Sequence, residues 1–142
     1  MGTLFECIAL KLYANGIITN YYMNWLDYPF VSFFWVGLIP LWRDTHFYIC
    51  HRSMHPWFTT KIPDIGAWLY NNAHYLHHMS DNYTVWSGIS MHPIEGFLYE
   101  SACLVPCLFL HHPLIIFIIK VDCTYKAILG HDGYDFPGAS NF

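Results

Sequence analysis

The sequence predicts an all-α protein, an integral membrane helical bundle with a histidine-rich helical cap on its cytosolic side. Three observations carry that expectation. Hydrophobic residues make up 55% of the 142 positions and charged ones only 11%, where a soluble domain carries roughly 25% charge. Aromatic residues reach 20%, with Trp and Tyr gathered near the ends of apolar runs, as in a protein whose solvent is partly lipid. Five of the ten histidines, His51, His55, His74, His77 and His78, fall into two clusters at helical spacing. The length suits a single domain over residues 1–142.

The elements follow in order. Residues 4–23 are apolar but broken by Lys11 and by Asn15-Gly16, which reads as a short helix and a turn, or as the remainder of a longer hydrophobic segment. The first apolar segment, about 28–43, holds the uncharged run Tyr28 to Trp42, about three quarters of the roughly 20 residues a full span takes. It is expected to continue as helix past Arg43 into residues 44–61, where aromatics and histidines mix until Pro56. Residues 62–72, with Pro63 and Gly66, read as a connection that leads into a polar helix over about 66–80. Turn formers dominate 81–93, ending at Pro93, which suits a first helical position. The longest apolar region runs from Ile94 to Gly130 and is interrupted by His111, His112 and Pro113. Two half-length helices, about 95–110 and 113–129, are expected to form a hairpin there. One continuous span would put a proline and two polar side chains at mid-membrane, which is costly. A polar, glycine-rich tail follows, and there are no internal repeats or low-complexity segments.

Composition also excludes classes. A net charge of −4 provides no basic field, so no nucleic-acid partner is expected. Five cysteines make no paired framework, and the N-terminus lacks the pattern of a cleaved signal peptide. Arg43, Arg52 and Lys61 follow the first apolar segment and Lys120 and Lys126 lie at the far end of the hairpin, while only Lys11 lies on the other side. Positive-inside logic then puts the histidine clusters in the cytosol.

His51 and His55 stand four apart, so on a helix they share one face about 6 Å apart along the axis and can converge on one metal. His74, His77 and His78 stand at i, i+3 and i+4, again on one face. Neutral imidazole suits iron, zinc, copper or nickel, and neither cluster contains a thiolate. A lone histidine is ordinarily a surface residue. Five at these spacings, near the ends of apolar helices, point to a metal site. A haem held between two histidines predicts single histidines on facing spans instead.

These residues resemble the fatty acid hydroxylase/sterol desaturase superfamily of membrane-bound, histidine-box di-iron oxygenases. The stretch from Asp44 through His51-Arg52-Ser53-Met54-His55 is similar to its first box, and His74-Tyr75-Leu76-His77-His78 to its second. Trp86-Ser87-Gly88-Ile89-Ser90-Met91-His92-Pro93-Ile94-Glu95 is similar to a further element, closer to the sterol desaturase relatives. The His112-Pro113 turn and Gly130-His131-Asp132-Gly133-Tyr134-Asp135 match later elements. The resemblance covers about residues 35 to 138 and implies a pair of iron ions held by histidines at the cytosolic mouth of a short transmembrane bundle. It implies O2 as co-substrate, electrons from NAD(P)H through cytochrome b5, and hydroxylation or desaturation of a lipid, either a sterol or a fatty acyl chain. An endoplasmic reticulum membrane is expected if the source is eukaryotic.

Carried over residue by residue, His51, His55, His74, His77, His78 and His131 are the expected metal ligands. Asp44 and His92 are candidates for the shell behind them: Asp44 by accepting a hydrogen bond from a ligand imidazole, or else as a solvated interfacial charge, and His92 by orienting a ligand, with direct ligation or a cap on the hairpin as its alternatives. Glu95, Tyr134 and Asp135 match the family without an assigned chemistry, and His46, His111 and His112 are expected to be structural. The family's third histidine box has no counterpart before Phe142, so the chain is read as C-terminally truncated. The alternatives are a shortened, non-catalytic metal-binding membrane paralogue and a site completed by another subunit.

Overall fold

The computed structural model describes residues 1–58, 63–79, 84 and 86–131. All regular elements among them are helical, and one isolated parallel bridge joins Tyr21 to His111. Helix α1 (Gly2–Ala14) ends at Asn15, where Gly16 takes a φ of +66°. That left-handed conformation costs glycine nothing, so the chain turns back there. Helix α2 (Pro29–Ser53) starts with Pro29, whose missing N–H is no loss in a first turn. It runs on past Arg43, as the sequence suggested, but stops at Ser53 instead of Pro56. The proline ring disfavours helical backbone at His55, and the helix ends before it.

The polar helix expected over 66–80 is divided in three. Helix α3 (Ile65–Leu69) passes into a π-helical turn (Tyr70–His74) and then into α4 (Tyr75–His78). A 3-10 turn (Ser87–Ile89) leads to α5 (Pro93–Glu100), with Pro93 at its start. The first arm of the hairpin then tightens into a 3-10 helix (Ser101–Leu108), and α6 (Leu114–Leu129) returns. Pro106 explains the change, because it has no N–H to offer the Ala102 carbonyl four residues back. Trp42 Nε1 donates to that carbonyl from α2 instead, at 3.2 Å.

The core lies between α6 and the elements around it. Ile115, Ile116, Ile119, Cys123 and Ala127 form the buried stripe of α6 and meet Phe5 and Ala9 of α1, Trp35 and Ile39 of α2, Tyr99 of α5, and Ala102 and Cys103. Burying each of these isoleucines is worth about 1.5–3 kcal/mol. The hairpin turn is fastened by histidines. His111 is fully buried, donates from Nδ1 to the Phe109 carbonyl (2.9 Å) and accepts from the Tyr13 hydroxyl. His112 stacks on Trp25, with ring centroids 4.6 Å apart.

No helix among the described residues is long and apolar enough to cross a membrane. Helix α2 is about 37 Å long, but Arg43, Asp44, His46, His51 and Arg52 occupy its second half. Its uncharged part, from Pro29 to Trp42, reaches only about 21 Å against a hydrocarbon thickness of about 30 Å. Helix α6 carries Lys120, Asp122 and Lys126 within its 16 residues. The all-helical expectation holds; a spanning bundle is not evident in these elements.

Gly88 lets the 3-10 turn touch α6 directly. A Cβ there would lie 1.8 Å from the Ala127 carbonyl oxygen and 2.8 Å from His131 Nδ1. Backbone cannot rotate away, so Gly88→Ala is expected to destabilise the fold by about 1–3 kcal/mol. Thermal unfolding in detergent checks this, and an unchanged midpoint would mean the contact is not a constraint.

Candidate metal centre

The two histidine clusters meet because two backbone segments approach at contact distance. Gly66, in the first turn of α3, sits so close to the end of α2 that a Cβ would lie 2.1 Å from the His55 carbonyl oxygen. Asp64 anchors the approach. Its Oδ1 caps α3 by accepting from Ala67 N (2.9 Å), while Oδ2 accepts from Trp57 N (2.8 Å) and Phe58 N (3.0 Å). One carboxylate therefore ties the chain leaving α2 to the start of α3. Within the π turn, Asn72 Nδ2 donates to the Trp68 carbonyl at 2.7 Å. Such turns add a residue to the helical repeat and recur at functional sites.

His51, His55, His74 and His78 converge. One ring nitrogen from each lies within 4.8 Å of the others. The Nε2 atoms of His51 and His55 are 3.1 Å apart and those of His74 and His78 are 2.8 Å apart. Two nitrogens about 2.1 Å from one ion are themselves about 3 Å apart, so the four imidazoles fit a single metal ion. His74 is fully buried, His51 and His55 are half-buried and His78 is exposed, so the cluster is closed on one side and open on the other.

A buried hydrogen-bond partner stands behind His74. Its Nδ1–H donates to Glu95 Oε1 at 2.8 Å, with both side chains at 5% exposure or less. A carboxylate only accepts, so the proton resides on Nδ1 and the Nε2 lone pair faces the cluster. Glu95 lies in the first turn of α5, where the helix dipole favours negative charge.

Of the two roles the sequence left open for Asp44, the structure shows the exposed interfacial charge and not the acceptor behind an imidazole. Asp44 pairs with Arg43 and with Lys126 Nζ, 3.1 Å from both carboxylate oxygens, and its side chain is more than half exposed. It shares a face with His51, but seven residues of helix separate them by about 10 Å, beyond a hydrogen bond. Of the roles open to His92, the structure shows the cap. Its Nδ1 accepts from Ile94 N at 3.3 Å and caps α5 instead of orienting an imidazole. The signal for Glu95 was present as an acidic residue at the start of a helix following a histidine-proline pair.

The other two expected ligands form a separate pair. His77 stacks on His74 at 5.8 Å, outside the group of four converging nitrogens, and packs against His131, ring centroids 5.1 Å apart. His131 follows the end of α6 and donates from Nδ1 to the Ala127 carbonyl at 2.9 Å. Tyr134 and Asp135 lie outside the described residues. His46 faces the hairpin, with Nε2 3.1 Å from Ser101 Oγ.

A family model described as fatty acid hydroxylase matches residues 35–142, a span that includes all six imidazoles. The chain belongs to the fatty acid hydroxylase family. No curated protein and no solved structure matches it. Fatty acid hydroxylases are oxygenases known for iron use, and the four-imidazole cluster is a group able to hold a metal.

Burial, reinforced by the neighbouring His74, His55 and His78, pushes His51 down to about 4. Burial also lowers His55, His77 and His78. Around neutral pH His51, His55 and His78 are therefore in the uncharged, ligating form. The unfolded chain takes up a proton at His51 near pH 6.5, whereas the folded chain resists it down to about pH 4. Stability is full above the higher value and is lost as the pH falls toward the lower. Thermal midpoints of metal-free protein, measured from about pH 7 to about pH 4.5, should decline across that window. A flat profile would contradict the buried, neutral assignment.

Proposed function

We propose that this chain is the metal-binding part of a membrane-bound di-iron oxidoreductase that uses O2 to hydroxylate or desaturate a lipid, a sterol or a fatty acyl chain. The convergence of His51, His55, His74 and His78 carries the reading. An all-nitrogen donor set of neutral imidazoles suits iron and leaves positions open to a small ligand, and the exposed edge at His78 supplies the open side. When bound, iron supplies the redox chemistry by which O2, two electrons and two protons convert a C–H bond to C–OH with release of one water. Desaturation consumes the same inputs, removes two hydrogens from adjacent carbons and releases two waters. NAD(P)H, through cytochrome b5, is the electron source we propose.

The chain's own residues do the positioning. Glu95 holds the His74 tautomer, and Asp64 with Gly66 keeps the two boxes in contact. A groove of about 600 Å³ runs along α2, lined almost wholly by apolar side chains including Val31, Leu38, Trp42, Val105 and Phe109. Its size is that of a ligand pocket. It reaches Thr45, about 9 Å along the helix from His51, and we assign the lipid to it. Phe30 (88% exposed), Phe33 (81%), Phe34 and Leu41 are largely exposed on α2. An apolar face of this extent supports insertion into a bilayer. We place the apolar half of α2 and the hairpin turn in the membrane, of the endoplasmic reticulum in a eukaryote, with the histidine end at its cytosolic surface.

Detergent-purified protein should bind iron, and His74→Ala should weaken that binding at least tenfold. Loaded wild type, supplied with lipid, O2, NADPH, cytochrome b5 and its reductase, should form a hydroxylated or unsaturated product that His74→Ala does not. Iron retained by the variant would sink the site assignment. Iron bound without O2-dependent product would turn the reading to a non-catalytic metal-binding protein.

A further inference from the structure

We propose that Arg52 anchors a head-group site for a phosphate-bearing acyl lipid whose chain lies in the apolar groove along α2. The inference rests on the reading that this groove takes a lipid, and it adds the chemistry of the lipid's other end.

Arg52 lies inside the first histidine cluster in sequence but takes no part in the four-imidazole group. It is exposed, and its guanidinium donates to the Pro56 carbonyl at 3.3 Å. The other basic side chains of α2 and α6 are each matched by a carboxylate: Arg43 by Asp44 and Asp122, Lys120 by Glu6 and Lys126 by Asp44. No carboxylate pairs with Arg52 among the described residues. A guanidinium carries five N–H donors in a planar fork, so most of them stay free. That fork is the arrangement that grips a phosphate through two parallel bonds.

The surroundings suit a lipid head. Tyr48, Ile49, Ser53 and Trp57 form with Arg52 a groove of about 390 Å³. Tyr48, Ile49 and Trp57 are exposed, and Trp57 is held by donating from Nε1 to the Ser53 carbonyl at 3.0 Å. Tyrosine and tryptophan favour the boundary between lipid and water, and an arginine beside them carries its charge at the same level.

Position along the helix ties this groove to the apolar one. Val31, Phe34, Leu38, Leu41 and Thr45 line the apolar groove. Tyr48 and Arg52 continue the same steps of three and four residues, so the whole series lies on one face of α2. Arg43 and Asp44 turn instead to Asp122 and Lys126 of α6, so no charge interrupts that face before Arg52. From Leu38, at the middle of the apolar groove, Arg52 is about 21 Å along the helix. One leaflet with its head groups is about 20–22 Å deep, half of a bilayer's full thickness. A single lipid lying along α2 therefore brings its phosphate to Arg52 while its chain fills the groove. A sterol, whose polar end is a neutral hydroxyl, gains nothing from the fork.

Fluorescent-lipid binding to detergent-purified protein tests this without any metal. The probes are phosphatidic acid and cholesterol carrying the same fluorophore, and the variants are Arg52→Gln, Arg52→Lys and Leu41→Trp. Leu41 is exposed on the groove, so a larger side chain there fills the groove without entering the core. Wild type should bind the phosphatidic acid, and Arg52→Gln should weaken that binding by about tenfold or more while leaving cholesterol binding unchanged. Arg52→Lys should fall between, because an ammonium keeps the charge and loses the fork. Leu41→Trp should weaken phosphatidic acid binding as well. Equal binding by Arg52→Gln, with Leu41→Trp still weakened, would overturn the head-group site and leave the lipid groove standing. Slower reduction of that iron-loaded variant by cytochrome b5 would then assign Arg52 to the electron donor. No binding in wild type, or binding untouched by Leu41→Trp, would remove the groove and the head-group site together. With iron and electrons supplied, oxidised phosphatidic acid would mark the bound lipid as substrate, and its recovery unchanged would mark it as a resident bilayer phospholipid. The site stands in both of those cases.

Discussion

A fully enclosed imidazole must have its proton directed, because either ring nitrogen left without a partner costs about as much as a lost hydrogen bond. In this protein the His74–Glu95 bond settles the matter, and much of the arrangement follows from it. The bond joins α5 to the π turn across 21 residues of chain. It turns the His74 lone pair toward His78, His51 and His55, and it fixes where the hairpin arm begining at Pro93 must start. A carboxylate at that place is compatible with burial because the N-terminus of α5 and the imidazole donor share its charge.

Around this bond the fold trades helical regularity for proximity. Glycines stand where backbones touch, Gly66 against the His55 carbonyl and Gly88 against the Ala127 carbonyl. A π turn interrupts the second histidine helix, and a 3-10 stretch replaces the α-helix where Pro106 cannot bond. Each departure lies close to the histidines or to the hairpin that carries Glu95 and His131. The regular, apolar parts, α6 and the first half of α2, provide the packed frame against which these irregular pieces are held.

The charged residues sort by the same logic. Arg43, though buried, finds the Tyr99 hydroxyl at 3.3 Å and Asp122 at 3.5 Å, and it pairs with Asp44, which Lys126 also reaches. This set of charges locks α2 to α6 and α5 at the level where apolar side chains give way to histidines. It also ends the apolar part of α2 well short of a bilayer's thickness, so the same residues that brace the centre limit the depth to which the helix can be buried in lipid.

How much of this was legible beforehand depends on the range of the interaction. The helical class, the turn at His111-His112-Pro113, the start of α5 at Pro93 and the pairing within each histidine cluster are consequences of local spacing, and the sequence determined them by itself. The family was legible for the same reason, since its motifs are short and ordered along the chain. The division of six histidines into four and two, the π turn that helps to set it, and the choice of Glu95 over Asp44 were not. They depend on distances between segments tens of residues apart. Asp44 had the right helical face but lay two turns from His51, whereas Glu95, distant in sequence, was brought to 2.8 Å from His74. Only tertiary packing decides such distances, because backbone approach at Gly66 and Gly88 and the enclosure of charge select among partners that are locally equivalent.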